Sequence, residues 1–267
     1  MLIFLENYSV LKISGVDSKS FLNSQFSNNI LLLDSNQNQC QMNAYCQHQG
    51  KVISIISVLK IDDYFLLIFP KNLLEKVSSK LNLYKMMSLV NIENLSERMF
   101  LYGQINETDK KSYKIINNLS YKISPVKINS KLAALEIWEY ECIKNRLPEI
   151  QSETSEKHIP QALNLDIDQI GVSFTKGCYP GQEVVARMHY LGKPKRRLFR
   201  FASNVEVLIG DSLDVENSES IKSSGQVIRV AKEGKEFHFL GVFELKHIDD
   251  QIFLNNDRNK PVKIIHE

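Results

Sequence analysis

Apolar and polar positions change period several times along the chain, and each change predicts an element. Residues 2–14 read as strand and close at Gly15. Asp17 then caps a predicted helix whose Phe21, Leu22, Phe26 and Ile30 recur at roughly helical spacing. Gln39 to Cys46 alternates loosely, Gln47-His-Gln-Gly50 reads as a hairpin loop, and Lys51 to Leu59 as the returning strand. Past a turn at Asp62-Asp63, Tyr64 to Phe69 is again strand-like. Leu73, Leu74, Val77, Leu81 and Tyr84 line one face of an amphipathic helix. A second cycle gives strands near 89–94 and 98–105, a polar helix or loop through 107–118, and strand-like runs at 120–128 and 132–138. Residues 139–170 are irregular and polar, with Pro148 and Pro160, and read as a crossover. Beyond Gly192, short apolar runs at 198–202, 205–209, 226–231, 237–245 and 262–265 alternate with turns, the rhythm of a small β-barrel. Strands and helices interleave without a long βαβ rhythm, so the predicted class is α+β. The expected division is a first lobe over 1–95, a second lobe and crossover over 96–190, and a barrel over 191–267.

Charge adds exclusions. The 267 residues carry a formal net charge of +2, which argues against a nucleic-acid binder driven by global charge. The longest apolar run, Val52 to Leu59, is strand-sized rather than membrane-spanning, and the N-terminus lacks the pattern of a signal or transit peptide. Cys40, Cys46, Cys142 and Cys178 form no C-x-x-C pair, which fits free thiols in a reducing cytoplasm. The histidines show no metal-ligand spacing, so no metal is expected. The familiar phosphate-, dinucleotide- and zinc-binding motifs are absent.

The densest chemistry lies in Gly171-Val-Ser-Phe-Thr-Lys-Gly-Cys-Tyr-Pro-Gly-Gln-Glu-Val-Val-Ala-Arg187. Pro180 suits the first turn of a helix. Gln182 and Glu183 would follow in that turn, where negative charge complements the helix N-terminus, with Val184 and Val185 turned inward. Tyr179, before a proline, is pushed to an extended conformation. Gly177 and Gly181 allow sharp bends or close approach. Cys178 is thereby presented ahead of a helix start, two residues from Lys176. Two readings stand at this point: a small buried filler, the usual fate of free cysteine, or a thiol activated by a cation and a helix N-terminus.

Lys176-Gly-Cys-Tyr-Pro-Gly-Gln-Glu183 resembles the K-G-C-[FY]-x-G-Q-E signature of the YgfZ family, folate-binding-fold proteins related to the T-protein (GcvT, aminomethyltransferase) of the glycine cleavage system. His158-Ile-Pro-Gln161, Asn164-Leu-Asp166, Gly171-Val-Ser-Phe174 and Glu183-Val-Val-Ala-Arg187 resemble the flanks of that signature, and Val10 to Phe26 its opening strand and helix. The resemblance implies a folate-binding body of two α+β lobes with a C-terminal barrel. It also implies tetrahydrofolate as cofactor and a role supporting iron–sulfur enzymes, with a link to tRNA modification. Cys178 would be the essential thiol with Lys176 as its electrostatic partner. Gly177, Tyr179, Gly181, Gln182, Glu183 and Arg187 would shape or line the binding loop, with Trp138 and Glu141 as further pocket candidates beside Tyr140. Expected partners are a reduced folate and iron–sulfur client or assembly proteins, in the cytoplasm, without direct nucleic-acid or membrane binding.

Departures from the relatives matter too. Where the T-protein hairpin continues into paired aspartates, this chain has Ser54 and Ile55, and Cys178 stands where the T-protein has aspartate. Without those carboxylates, aminomethyl transfer lacks its acid/base group, so a one-carbon transferase is the second reading. Lys144 replaces a family glutamate that can hold the pterin edge, and Arg146 replaces a glycine. Cys46 and His48, in Ala44-Tyr-Cys-Gln-His-Gln-Gly-Lys51, are further candidates. Between Arg187 and Arg200 lie six basic residues and no acidic one: a solvated linker, or cations for a polyglutamyl tail or a nucleic-acid backbone. An RNA-associated module is the third reading.

Overall fold

The computed structural model describes residues 1–33, 38–106, 111–216 and 223–266. The chain opens with two strands, β1 (Leu2–Phe4) and β2 (Tyr8–Ser14), where the pattern of 2–14 predicts one. Their separation has a cause: Tyr8 N donates to Leu5 O at 3.3 Å, turning the chain between sheets. Helix α1 (Ser18–Gln25) is shorter than predicted; Phe26 turns extended and Ile30 falls in a separate short helix. Asp17 does precede α1, but its carboxylate caps nothing there and accepts from Leu89 N at 2.7 Å instead. Strands β3 (Cys40–Cys46), β4 (Val52–Ile61) and β5 (Tyr64–Pro70), helix α2 (Leu74–Tyr84) and strand β6 (Asn91–Asn94) follow. The first sheet runs β3-β4-β5-β2-β6.

Strands β7 (Phe100–Ile105), β8 (Ser112–Ile116) and β9 (Leu119–Ser124) make the second sheet, in the order β1-β7-β9-β8. The chain's first strand therefore belongs to the second sheet, across the boundary expected at 95. Residues 112–116, predicted as helix or loop, are strand because they pair with β9; 107–110 lie outside the described residues. The run 132–138, predicted as strand, turns into helix α3 (Leu135–Lys144). Trp138, Cys142 and Ile143 recur at helical spacing and all point into the core. Gly103 on β7 makes that packing possible, since a Cβ there would meet Trp138 Cε3 at 2.3 Å.

A closed barrel ends the chain: β10 (Arg196–Ser203), β11 (Ser212–Val215), β12 (Gly225–Glu233), β13 (Glu236–Glu244), β14 (Ile252–Leu254) and β15 (Asp257–Ile264), in the order β10-β13-β12-β11-β14-β15. The predicted strand at 205–209 is a turn. Val205 N goes to Ser203 Oγ and Leu208 N to Asp211 Oδ2 at 2.8 Å, so side chains take bonds a ladder would need. Phe201 and Phe239 stack at 5.1 Å inside the barrel. The larger core spans both sheets and continues onto the barrel's outer face through Leu198, Ile228, Leu240 and Val242. Among the described residues, no helix is long and apolar enough to cross a membrane.

Candidate functional site

The loop before helix α4 (Gln182–Leu191) packs against the β3–β4 hairpin through two glycines. Gly50 has φ +75° and Gly181 φ +82°, both in the left-handed region that favours glycine. A Cβ on Gly181 would sit 2.5 Å from Gln47 O and 2.7 Å from Gly50 Cα. Pro180 is not inside the helix as predicted. It occupies the second position of a turn closed by Gln182 N on Tyr179 O at 3.1 Å, and Gly181 takes the positive-φ third position. The helix therefore begins at Gln182, two residues beyond the proline expected to open it. Val185 is fully buried, whereas Val184, predicted inward, is 40% exposed.

Lys176 does not reach out toward solvent. Its Nζ donates to the carbonyls of Asn23 and Phe26 at the C-terminal end of α1, where a cation offsets the helix dipole. Its ammonium also lies 5.2 Å from the Tyr179 ring centroid. Burial pulls the Lys176 pKa down to about 8, and nearby Cys178 partly offsets that. The electrostatic partnership predicted between the two is thus secondary to an anchoring role. Tyr179 is buried, and burial, reinforced by Cys46, raises its phenol pKa. Gly177 and Cys178 stand exposed between these two fixed neighbours. Gly177 has no left-handed φ, and a Cβ there would meet nothing within 4 Å, so neither backbone nor packing requires glycine.

The polar residues upstream form the loop's bracket. Val52 N donates to His158 O at 2.8 Å, and His158 Nε2 meets Gln226 Oε1 of β12 at 3.0 Å. Gln161 Nε2 donates to Val185 O at 2.7 Å. Asn164 Nδ2 donates to Leu198 O at 3.0 Å, and Asp166 holds Arg197 through two contacts at 2.5 and 3.0 Å. Ser27 ties in from below: its Oγ donates to Gly171 O at 2.5 Å, and its own carbonyl accepts from Ser173 N at 2.9 Å. These side chains satisfy a crossover that has little regular structure of its own. Burial first, then neighbouring cations, lowers the His158 pKa to about 4.

The four cysteines differ sharply. Cys46 and Cys142 are buried and Cys178 is exposed. Burial pushes the Cys40 and Cys46 thiols up to about 12. His48 lies at the hairpin tip with Nε2 3.2 Å from Tyr84 Oη, so of the two hairpin candidates only His48 is accessible.

A second chemical cluster, absent from the sequence reading, joins the two lobes to the barrel. Arg229 on β12 is 2% exposed; it reaches Glu139 at 2.7 Å, Leu147 O and Tyr8 Oη at 3.1 Å, and Glu149 at 3.7 Å. Tyr8 Oη in turn donates to Glu149. The available signal was one arginine inside the apolar run of 226–231. Beside it lies a cavity of about 20 Å³ lined by Tyr8, Met42, Ile55, Tyr121, Glu149 and Arg229, among others. That is room for roughly one water.

This cavity tests the folate that the family resemblance implies. Its charged and aromatic walls suit a pteridine, and Glu139 Oε1 nearby is buried without a hydrogen-bond partner. The residues fit by chemistry, while admission of a ring system requires Met42, Ile55 or Tyr121 to move. Ile55, at one of the absent aspartate positions, lines the cavity with a hydrocarbon.

The predicted site residues are not all brought together. Lys176, Gly177, Cys178, Tyr179, Gly181, Gln182, Glu183 and Arg187 share the loop and α4, and none of them lines the central cavity. Trp138, a pocket candidate, is fully buried between α3 and Gly103, with its ring 5.8 Å from Tyr121. Glu141 faces outward to Lys144 at 2.7 Å and Asn118 at 3.2 Å. The basic stretch divides. Arg196 binds Glu244 at 2.9 Å and Arg197 binds Asp166. Lys193 and Lys195 are joined by Lys157 around a groove of about 280 Å³ floored by Ile159, Ala162 and Met188. No cluster of metal-binding side chains occurs among the described residues.

No family model matches the sequence. Among curated proteins, an uncharacterized protein of Haemophilus influenzae is 30% identical over 240 residues, covering 84% of this chain and 82% of that protein. The tRNA-modifying proteins YgfZ of Aliivibrio fischeri and Vibrio atlanticus are 25% and 27% identical, covering 84% and 86% of this chain and 78% and 79% of theirs. Among solved structures, the glycine cleavage system aminomethyltransferase T of Bartonella henselae superposes with a TM-score of 0.72 at 10% identity, over 100% of this chain and 84% of that one. That likeness is one of fold: an α+β body followed by a closed barrel.

Proposed function

Because this chain belongs to the YgfZ family, we propose that it is a tetrahydrofolate-binding accessory protein supporting assembly or repair of iron–sulfur enzymes, and through them tRNA modification. The observation that carries this reading is the contrast inside one motif. Lys176, Tyr179 and Gly181 are anchored, while Cys178 is exposed beside a glycine whose missing side chain serves no packing purpose. A rigid frame that offers one thiol, with room left above it, suits a partner that must reach that thiol. The names of the YgfZ relatives support the link to tRNA modification.

In this reading Tyr8, Glu139, Glu149 and Arg229 hold the folate's pteridine end, and Lys157, Lys193 and Lys195 attract its anionic tail. Reduced folate, when bound, supplies a one-carbon carrier. Hydrocarbon at Ile55 and a hydroxyl at Ser54 offer no carboxylate for aminomethyl transfer, which disfavours the transferase reading.

The test is a strain lacking this gene. Activities of several iron–sulfur enzymes and the modification level of bulk tRNA are measured after complementation with wild type or Cys178→Ser. Wild type is expected to restore both and Cys178→Ser neither; full restoration by Cys178→Ser removes the thiol from the function. Calorimetry with mono- and polyglutamyl tetrahydrofolate is expected to show binding that tightens with tail length and weakens with salt. No binding removes the folate.

A further inference from the structure

Helix α2 ends in a run of side chains that a soluble fold has every reason to bury and here does not. Leu83 is 61% exposed, Met86 79%, Met87 98% and Leu89 72%, and Val16 on the facing loop is 81% exposed. Scattered apolar residues on a surface are ordinary; a contiguous group of this kind marks an interaction surface. Two adjacent methionines add adaptability, since an unbranched thioether side chain moulds itself to different partners.

The patch is held rather than loose. Lys85 N donates to Leu81 O at 3.1 Å, Ser88 N to Lys85 O at 2.8 Å and Val90 N to Ser88 O at 2.9 Å. Asp17 Oδ2 accepts from Leu89 N at 2.7 Å. Gly15, at φ +110°, lets the two loops touch, because a Cβ there would stand 2.2 Å from Leu89 O. Apolar side chains on a fixed turn cost little ordering entropy when a partner arrives.

A relay of contacts links the end of α2 to the loop that carries the thiol. Tyr84, at the end of α2, meets His48, whose hairpin packs through Gln47 and Gly50 on Gly181 of the thiol loop. On the α2 side the charge has one sign, and the neighbouring Asp17 carboxylate is already engaged by Leu89 N. From Lys76 to Ile92 the sequence has three lysines and no acidic residue. Lys76 pairs with Glu156, whereas Lys80, Lys85 and hairpin Lys51 have no ion-pair partner among the described residues.

We propose that Leu83, Met86, Met87, Leu89 and Val16 form the docking surface for a protein partner that presents apolar anchors flanked by acidic residues, and that this seats the partner beside Cys178. The proposal rests on the accessory-protein reading above and names the chemistry of the partner's surface. A lipid surface would satisfy the apolar and basic groups but gives the adjoining thiol nothing to act on.

The experiment places a photo-crosslinking amino acid at position 87 of the full chain, expressed in the deletion strain. The expected product is an adduct with another protein through a segment rich in Asp and Glu. It falls at least about fivefold when Lys80→Glu and Lys85→Glu are introduced together, as charge complementarity requires. In parallel, Met86→Asp with Met87→Asp is expected to keep the wild-type melting temperature and Cys178 alkylation rate while lowering enzyme restoration about tenfold or more. Adducts with lipid or a second copy of this chain overturn the proposal, as do adducts indifferent to charge reversal. So does retention of the methionine variant on phosphatidylglycerol vesicles together with full restoration. If Cys178→Ser fails to complement but the methionine variant succeeds, the docking surface falls and the thiol reading stands. If both complement, the reading of the thiol falls as well.

Discussion

Two places in this molecule join its parts, and they treat charged and reactive groups in opposite ways. At the centre, Arg229 of the barrel is sealed between Glu139, Glu149 and Tyr8, with nothing left to meet solvent. At the edge, the loop before α4 is equally well anchored, yet Cys178 at its tip is open. The central groups are largely each other's partners, so they serve cohesion first, and a ligand there has to join bonds already made, with Glu139 Oε1 as a buried acceptor still without a partner. The edge groups leave one thiol with no structural task. A residue's availability for function follows from what its neighbours have already satisfied, not from how reactive its side chain is.

The largest effect separating the two places comes from Arg229→Met. Removing the cation leaves two buried carboxylates facing each other, which typically costs about 3–5 kcal/mol. The urea midpoint is expected to fall accordingly; an unchanged midpoint would show that the junction is not cohesive. His158 gives the next effect, through pH. Its pKa is about 4 in the fold against 6.5 for a free histidine, so between these values the unfolded chain binds more protons than the folded one. Stability is therefore lost as pH falls from 6.5 to 4, by up to about 3 kcal/mol from this group. Denaturation at several pH values is expected to show that loss in wild type and a flatter profile in His158→Gln.

The finest contrast lies within the motif. Gly181→Ala forces a side chain into a left-handed backbone against Gln47 O and is expected to cost about 1–3 kcal/mol. Gly177→Ala meets nothing and is expected to stay within about 0.5 kcal/mol of wild type while impairing complementation. Equal destabilisation by the two, measured by thermal melts, would erase the distinction between frame and tip.

The sequence carried the edge better than the centre. Local punctuation around Lys176 to Gln182 is dense, so the loop, the helix after it and the bracket of His158, Gln161, Asn164 and Asp166 are legible as one motif. What sequence spacing cannot show is direction. Lys176 turns inward to the end of α1, and Pro180 sits in a turn rather than the helix, because both answer to groups far away in the chain. The helix over 135–144 is hidden in the sequence because its start overlaps an apolar run short enough to pass for a strand. The central cluster has no sequence signature: Tyr8, Glu139, Glu149 and Arg229 come from four separate segments, and only tertiary packing brings them together.

Of the four cysteines Cys178 is the exposed one, and alkylation at neutral pH tests its availability most directly. Native protein is treated with iodoacetamide at pH 7 and each cysteine is followed by mass spectrometry. Cys46 is buried with its thiol pushed up to about 12, so only about one molecule in 10⁵ presents a thiolate there at that pH. Cys178 is expected to label on the order of a hundred times faster than Cys46 and Cys142, which react only as the protein unfolds. Labelling of Cys178 no faster than these buried thiols would contradict the account, because the tip of the loop would then be closed.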